Sequence, residues 1–212
     1  MPLQILYSDA DIVACVKPAG VLSEEPGMPR LLSEALGGEF FCVHRLDRAV
    51  GGVMVYARTS AAAADLSRQI SARQFHKEYL AVVQGRPNED SAALRDLLFW
   101  DRAKNKSFVV KRQRGGVKEA ELEYALLEAL PELSLLRVIL HTGRTHQIRV
   151  QFSSRALPLV GDVKYGSRYR DCALALWSHA LGFRHPATGK PMSFSAMPEA
   201  VFPWNGFEYF NK

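Results

Sequence analysis

Asp47 lies between two arginines in the segment His44-Arg45-Leu46-Asp47-Arg48, and a glycine pair, Gly51-Gly52, follows shortly after. Opposite charges within a few ångströms lower a carboxyl pKa, so Arg45 and Arg48 would keep Asp47 ionised at neutral pH. A charged carboxylate of this kind can act as a nucleophile or a base. Glycines beside it let a ligand or another backbone segment come close. The same residues would equally suit a surface aspartate in a structural salt bridge, so the remainder of the chain has to decide.

Further chemistry-bearing residues fall in three later segments: KEYLAVVQG at 77–85, HTGRTHQIRVQF at 141–152 and PLVGDVKYG at 158–166. In the second, Thr145, His146 and Gln147 stand where a helix would begin, and free N–H groups there suit phosphate or carboxylate. His146 could instead be a structural histidine. Asp162 and Tyr165, in the third, read as turn formers. His44, His141, His146, His179 and His185 lack metal-ligand spacing, so no metal is expected. Cys15, Cys42 and Cys172 are widely spaced with no CxxC pair, and read as buried thiols. Trp100, Trp177 and Trp204 read as core or edge aromatics. Neither Gly51-Gly52 nor Gly115-Gly116 carries the flanks of a glycine-rich nucleotide loop.

The elements that must position these residues are short. Ile5 to Tyr7 and Ile12 to Val16 are β-prone runs around a turn, and Lys17-Pro18-Ala19-Gly20 makes a tight loop. Leu31 to Leu36 suits a short helix stopped by Gly37-Gly38, and Val53 to Ala57 a buried strand. Thr59 or Ser60 can cap a helix over Ala61 to Ala72, with Ala63, Leu66 and Ile70 on one face. Glu78 to Gln84 reads as a strand. Glu121 to Leu130 has helical propensity, but Pro131 and the β-prone run Ser134 to Leu140 favour an antiparallel strand pair. Thr145 can cap a helix through Phe152. Leu174 to Phe183 and Met192 to Ala196 read as strands around a turn at 185–191. The expectation is an α+β fold with a mixed, largely antiparallel central sheet flanked by helices and loops, in one domain over residues 1–212.

The chain has 212 residues and 48% hydrophobic content with 23% charged residues, which excludes a disordered or fibrous protein. No apolar run approaches the ~20 residues that span a bilayer, and the N-terminus lacks a signal-peptide pattern. No membrane partner is expected, and the cytoplasm is the expected compartment. The net charge is +5, and its distribution is uneven. Arg102, Lys104, Lys106, Lys111, Arg112, Arg114 and Lys118 crowd the segment from 101 to 118, in which Asp101 is the single acid. Such a segment could neutralise several phosphates, or be a solvated hairpin face.

Taken in order, HRLD at 44–47, KEYLAVVQG, HTGRTHQIRVQF and PLVGDVKYG resemble the RluA family of pseudouridine synthases. The likeness runs from ILYSDADIVACVKPAGV to SHALGFRHPATGKPMSFSAMP. It implies the pseudouridine synthase fold, with Asp47 in the place of the nucleophile and Tyr79 as the tyrosine of the KxYxAxxxG strand. It picks out Arg149 as the basic partner of the aspartate, with Arg144 as the alternative. One departure is visible: the family usually has Thr-Ser-Gly after HRLDxx, whereas this chain has Val50-Gly51-Gly52. A side chain that would support the loop is missing, which bears on loop rigidity and substrate preference. Members that recognise ribosomal RNA often carry an extra N-terminal RNA-binding domain. No room for one exists before Ile5, so a single catalytic domain is expected and the balance tilts towards transfer RNA.

The reaction implied isomerises uridine in RNA: the N1–C1′ bond breaks, the uracil turns over and C5 bonds to C1′. It needs no cofactor, nucleotide or otherwise. Asp47 could attack covalently, or take the C2′ proton to give a glycal. The uridine must first be flipped from its stack, and the Tyr79 ring offers a surface for it, worth roughly 1–3 kcal/mol. Arg45 could contact phosphate or fill the gap left in the RNA, with His44, Arg144, Thr145, His146 and Gln147 as further RNA contacts. The expected partner is a stem-loop of transfer or ribosomal RNA, bound by a monomer. The competing reading is a catalytically silent RNA-binding protein on the same fold; intact Asp47, Tyr79 and Arg149 argue against it.

Overall fold

A computed structural model describes residues 3–210. Two compact units divide the chain: the residues up to Lys77 together with Trp177–Pro198, and Glu78–Leu176 together with the residues from Glu199 onward.

The first unit is built on strands β1 (Ile5–Ser8), β2 (Ile12–Lys17), β3 (Phe41–Cys42), β4 (Gly51–Ala57), β10 (Leu176–Arg184) and β11 (Pro191–Ser195). β2 pairs antiparallel with both β1 and β4, β3 with β4, and β11 with β10. β4 and β10 run parallel, Trp177 opposite Gly51 and Ser178 opposite Gly52. β2 and β4 are buried along their whole lengths, as β-branched and apolar runs covered on both faces should be. Helix α1 (Met28–Leu36) has Pro29 in its first turn and ends at Gly37, with φ 68°. Helix α2 (Ser60–Ser71) is capped by Thr59, whose hydroxyl accepts from the Ala62 N–H at 3.1 Å. It lays Ala62 and Leu66 on a core of Ile12, Val53, Val55, Phe75, Leu181 and Phe183. Gln69 is also buried there, because its amide bonds both the carbonyl and the N–H of Arg184.

The second unit is built on antiparallel strands in the order β5-β9-β8-β6-β7, formed by β5 (His76–Gln84, from Glu78), β6 (Ser91–Asp101), β7 (Lys106–Val110), β8 (Val117–Ala129) and β9 (Leu133–Leu140). The β8–β9 pair bears out the strand reading over the helical propensity of 121–130, and an irregularity between Leu126 and Glu128 takes up the register. Cross-strand packing overrides propensity here. Helix α3 (Gln147–Ser153) packs on the sheet through Phe152, whose ring meets Tyr124 edge-on, and through Val150 beside Leu98 and Ala120. The architecture in both units is the α+β, largely antiparallel class expected. Among the described residues, no helix is long and apolar enough to cross a membrane.

Candidate active site

In the first unit, the Asp47 loop is tied to the loop after β2. Leu46 N–H donates to Ser23 Oγ at 3.0 Å, and Ser23 Oγ donates to the Leu46 carbonyl at 2.9 Å. The Tyr56 hydroxyl holds the Ser23 carbonyl at 2.8 Å. Gly20 N–H donates to the Arg48 carbonyl at 2.8 Å while Arg48 Nε donates to the Gly20 carbonyl at 2.8 Å. Asp47 itself is half-buried, and its carbonyl accepts from Val50 N–H at 2.9 Å, closing the turn that leads into β4.

Lys17 is the cross-link under both loops. Its side chain is fully buried, and Nζ donates to the carbonyls of Pro18, Val21 and Arg48 at 2.9, 2.7 and 3.3 Å. Burial pushes its ammonium down to about 8, and the attraction of Asp47 opposes that shift. The flanking arginines have partners of their own. Arg45 ion-pairs with Glu24 at 3.1 Å on the exposed surface and Arg48 turns to Gly20. In the sequence Lys17 reads only as part of a tight loop. The signal that finds it is a lysine closing a run of five buried apolar residues, since such a group is kept only with partners.

His44 is half-buried, and Nε2 accepts from the Val55 N–H at 3.2 Å, so it braces β4. Burial, then the Lys77 cation, pushes its pKa down to about 4, which keeps the ring neutral and able to accept.

In the second unit, Tyr79 is buried on β5, opposite Val138 of β9. The loop 158–167 docks on the far end of the same strand. Gln84 N–H donates to the Pro158 carbonyl at 3.0 Å, Val160 N–H to the Val82 carbonyl at 2.9 Å, and Gln84 Nε2 to Ser167 Oγ at 2.9 Å. Gly161, with φ +79°, must be glycine: a Cβ there would lie 2.2 Å from the Ala173 carbonyl oxygen. That geometry delivers Asp162 to Arg149.

Arg149, on α3, is buried and makes a fork on Asp162: Nε to Oδ2 at 2.7 Å and Nη2 to Oδ1 at 2.8 Å. Its guanidinium also stacks 5.0 Å from the Tyr165 ring centroid. Asp162 and Tyr165 are therefore more than turn formers, since both orient the arginine. Tyr165 in turn bonds His146 Nδ1 at 2.9 Å and accepts from Ser107 N–H at 2.8 Å.

The start of α3 departs from expectation. Its N-cap is His146, in the left-handed region at φ 53°, with no side-chain cap, so Thr145 is not the cap. Gln147 is buried and spent internally: Oε1 accepts from the Thr142 hydroxyl at 2.8 Å and Arg144 N–H at 3.0 Å, and Nε2 donates to the Glu121 carbonyl at 3.1 Å. It holds the 141–147 turn on β8. His146 is half-buried between the rings of Trp100 and Tyr165. Arg144 Nε donates to the Glu119 carbonyl at 2.8 Å.

The basic segment is a hairpin, β6–β7, with the turn into β8. Arg102, Lys104, Lys111, Arg112, Arg114 and Lys118 are exposed. Lys104 lies 5.7 Å from the Phe108 ring and Arg114 4.9 Å from Phe99. The hairpin tip is clipped to the Arg149 neighbourhood, Lys106 Nζ donating to the Lys164 carbonyl at 2.6 Å and Lys164 Nζ to the Asn105 carbonyl at 2.9 Å.

Of the three thiols only Cys15 is buried outright, and burial raises it to about 12. Asp9, Asp11 and His185 bring possible ligand atoms within 4.8 Å of one another, a juxtaposition the histidine spacings did not reveal. Asp9 is already occupied there, by the Tyr7 hydroxyl, His185 Nε2 and the N–H groups of Asp11 and Ile12.

A family model described as RNA pseudouridylate synthase matches residues 11–154. An Aquifex aeolicus protein named as an uncharacterized RNA pseudouridine synthase is 35% identical, over 96% of this chain and 73% of its own length. A Xanthomonas campestris protein named ribosomal large subunit pseudouridine synthase D is 34% identical, over 94% of this chain and 67% of its own length. The solved structure of human RNA Pseudouridylate Synthase Domain Containing 1 superposes with a TM-score of 0.82 at 23% identity, over 96% of this chain and 86% of that one, which is a likeness of fold.

Proposed function

Because the chain belongs to the RNA pseudouridylate synthase family, an isomerase of uridine in RNA, we propose that Asp47 is its nucleophile, with Tyr79 and Arg149 completing the catalytic set. The observation that carries this reading is the Asp47 loop itself. The HRLD aspartate sits on a turn held by reciprocal bonds to the Ser23 and Gly20 segments, over the buried cation of Lys17. A held, charged carboxylate is what either the covalent or the glycal route demands.

In this mechanism uridine leaves the RNA stack and Tyr79 lies against the uracil. The N1–C1′ bond breaks, the base turns, and C5 bonds to C1′. The C5 proton then leaves, with Tyr79 assisting, and N1 ends protonated, so the product is an isomer. Arg149 keeps Asp47 charged and aimed. It is preferred to Arg144 because it is buried and forked on Asp162, whereas Arg144 is half-buried with Nε on a strand carbonyl.

The RNA is a stem-loop of transfer or ribosomal RNA, bound in the cytoplasm by a monomer. The two units work as a single catalytic domain. Arg45, Arg144, Thr145 and His146 supply contacts to the RNA, and the exposed hairpin cations add phosphate neutralisation. The names of relatives such as the Xanthomonas and Zymomonas mobilis proteins make large-subunit ribosomal RNA the first substrate to examine. Mapping pseudouridines in total RNA from a strain lacking this chain tests the reading. At least one position should lose its pseudouridine and regain it with the wild-type chain but not with Asp47→Ala. Recovery with Asp47→Ala would remove Asp47 from the chemistry.

A further inference from the structure

The glycines that open β4 are glycines for different reasons. Gly52 has φ +121°, and a Cβ there would lie 2.3 Å from the Ser178 carbonyl oxygen, so its backbone alone excludes a side chain. Gly51 has no such backbone demand. A Cβ at Gly51 would meet the indole of Trp177, 2.5 Å from Cζ3 and 3.1 Å from Cε3, with the Lys17 carbonyl oxygen at 3.2 Å.

The indole cannot simply swing away. Its Nε1 donates to the Ala196 carbonyl at 2.8 Å, which pins the pyrrole edge and leaves the benzo edge against Gly51. The next residue, Ser178, fixes the same register through Oγ to the Val53 carbonyl at 3.0 Å. Upstream, the Asp47 carbonyl accepts from Val50 N–H, so the aspartate turn runs straight into the residue that the ring covers. Lys17, whose Nζ bonds the Arg48 carbonyl in that turn, contributes the carbonyl on the other side of Gly51.

The geometry points to Trp177 as a positioning residue for Asp47: its ring fills the place of the side chain that the family pattern puts at 51 and braces the nucleophile turn from the neighbouring strand. Gly51 and Trp177 are thus one complementary pair, and the departure at 50–52 does not leave the loop unsupported. This rests on Asp47 being the nucleophile.

The test is a double-mutant cycle on the full chain, using bulk RNA labelled with tritium at uridine C5 and prepared from cells lacking this chain, with tritium release as the rate. Wild type must release tritium and Asp47→Ala must not; failure at that step counts against the catalytic reading, whatever Trp177 does. Given that activity, Trp177→Ala should lower kcat by roughly ten- to a hundredfold with little change in KM, the scale of a misplaced reacting group. Gly51→Ser should lower kcat similarly. The double variant Gly51→Ser/Trp177→Ala should exceed Gly51→Ser by about threefold or more, because residues in contact do not act additively. Thermal unfolding of each variant separates misfolding from misplacement. If Trp177→Ala fails to fold, Trp177→Leu carries the same cycle. Full kcat in the Trp177 variant, or a double variant no better than the product of the two single effects, overturns the proposal. So does a rise in KM at unchanged kcat, which would make Trp177 a direct RNA contact instead.

Discussion

Arg149 grips Asp162 through Nε and Nη2 at 2.7 and 2.8 Å, with the arginine side chain 9% exposed and the aspartate 1%. The pair fixes where the guanidinium can point. Its Nε side is committed to Asp162 and its plane to the Tyr165 ring.

Breaking this pair should be costly, because the buried guanidinium loses both bonds of the fork. Asp162→Ala is expected to lose about 3–5 kcal/mol of stability by urea unfolding, and Asp162→Asn less, since the amide keeps an acceptor for Nε. Both should lower kcat for tritium release more than they raise KM, because a guanidinium free to turn no longer aims at the reaction. A wild-type rate in Asp162→Asn with unchanged stability would show that the fork is dispensable.

Lys17 makes two opposite predictions about pH. Its folded value of about 8 lies below its ordinary value of 10.5, so between those values the folded protein binds fewer protons than the unfolded chain. Its contribution to stability is therefore complete above 10.5 and is lost as pH falls through about 8. The rate should go the other way, falling as pH rises through 8 and the cation beside Asp47 loses its proton. Lys17→Met should abolish this alkaline limb in kcat and flatten the stability slope over the same window. An unchanged alkaline limb in that variant would take Lys17 out of the account.

His44 has the acid-side counterpart. Its folded value of about 4 lies below its ordinary 6.5, so its stability contribution is complete above pH 6.5 and lost as pH falls through about 4. Protonation would put a donor where Nε2 must accept from Val55. Urea unfolding from pH 7 to 4 should show a decline that is shallower in His44→Gln, whose side-chain oxygen can still accept. Equal slopes would place the decline elsewhere.

The hairpin cations should act on binding. Lys104→Ala/Arg112→Ala/Arg114→Ala is expected to raise KM for RNA, and to reduce the slope of log affinity against log salt by about 0.7–0.9 for each phosphate that is no longer neutralised. Filter binding at several salt concentrations reads this. An unchanged slope would return the segment to a solvated face.

The sequence makes some of this legible because certain residues carry a local rule. Pro131 ends the helical propensity of 121–130, and Thr59 announces the α2 cap. Asp47, Tyr79 and Arg149 are legible as motif positions. What stays hidden depends on partners distant in sequence. Lys17 looks like loop until the carbonyl of Arg48 reaches it, and Asp162 looks like a turn until Arg149 arrives on α3. His44 and Gln147 have the chemistry to meet RNA, but backbone groups of β4 and β8 claim them first. Gly51 reads as a missing support, and only the parallel register of β10 brings Trp177 against it.

If Asp47 performs the chemistry on a turn built to hold it, the reaction depends on the charge of its side chain. Asp47→Asn keeps the size of the side chain and removes its charge, so the fold and RNA affinity should survive. Tritium release from RNA labelled at uridine C5 should stop, while filter binding of the same RNA and the unfolding midpoint stay near wild type. Release by Asp47→Asn at the wild-type rate would contradict the account.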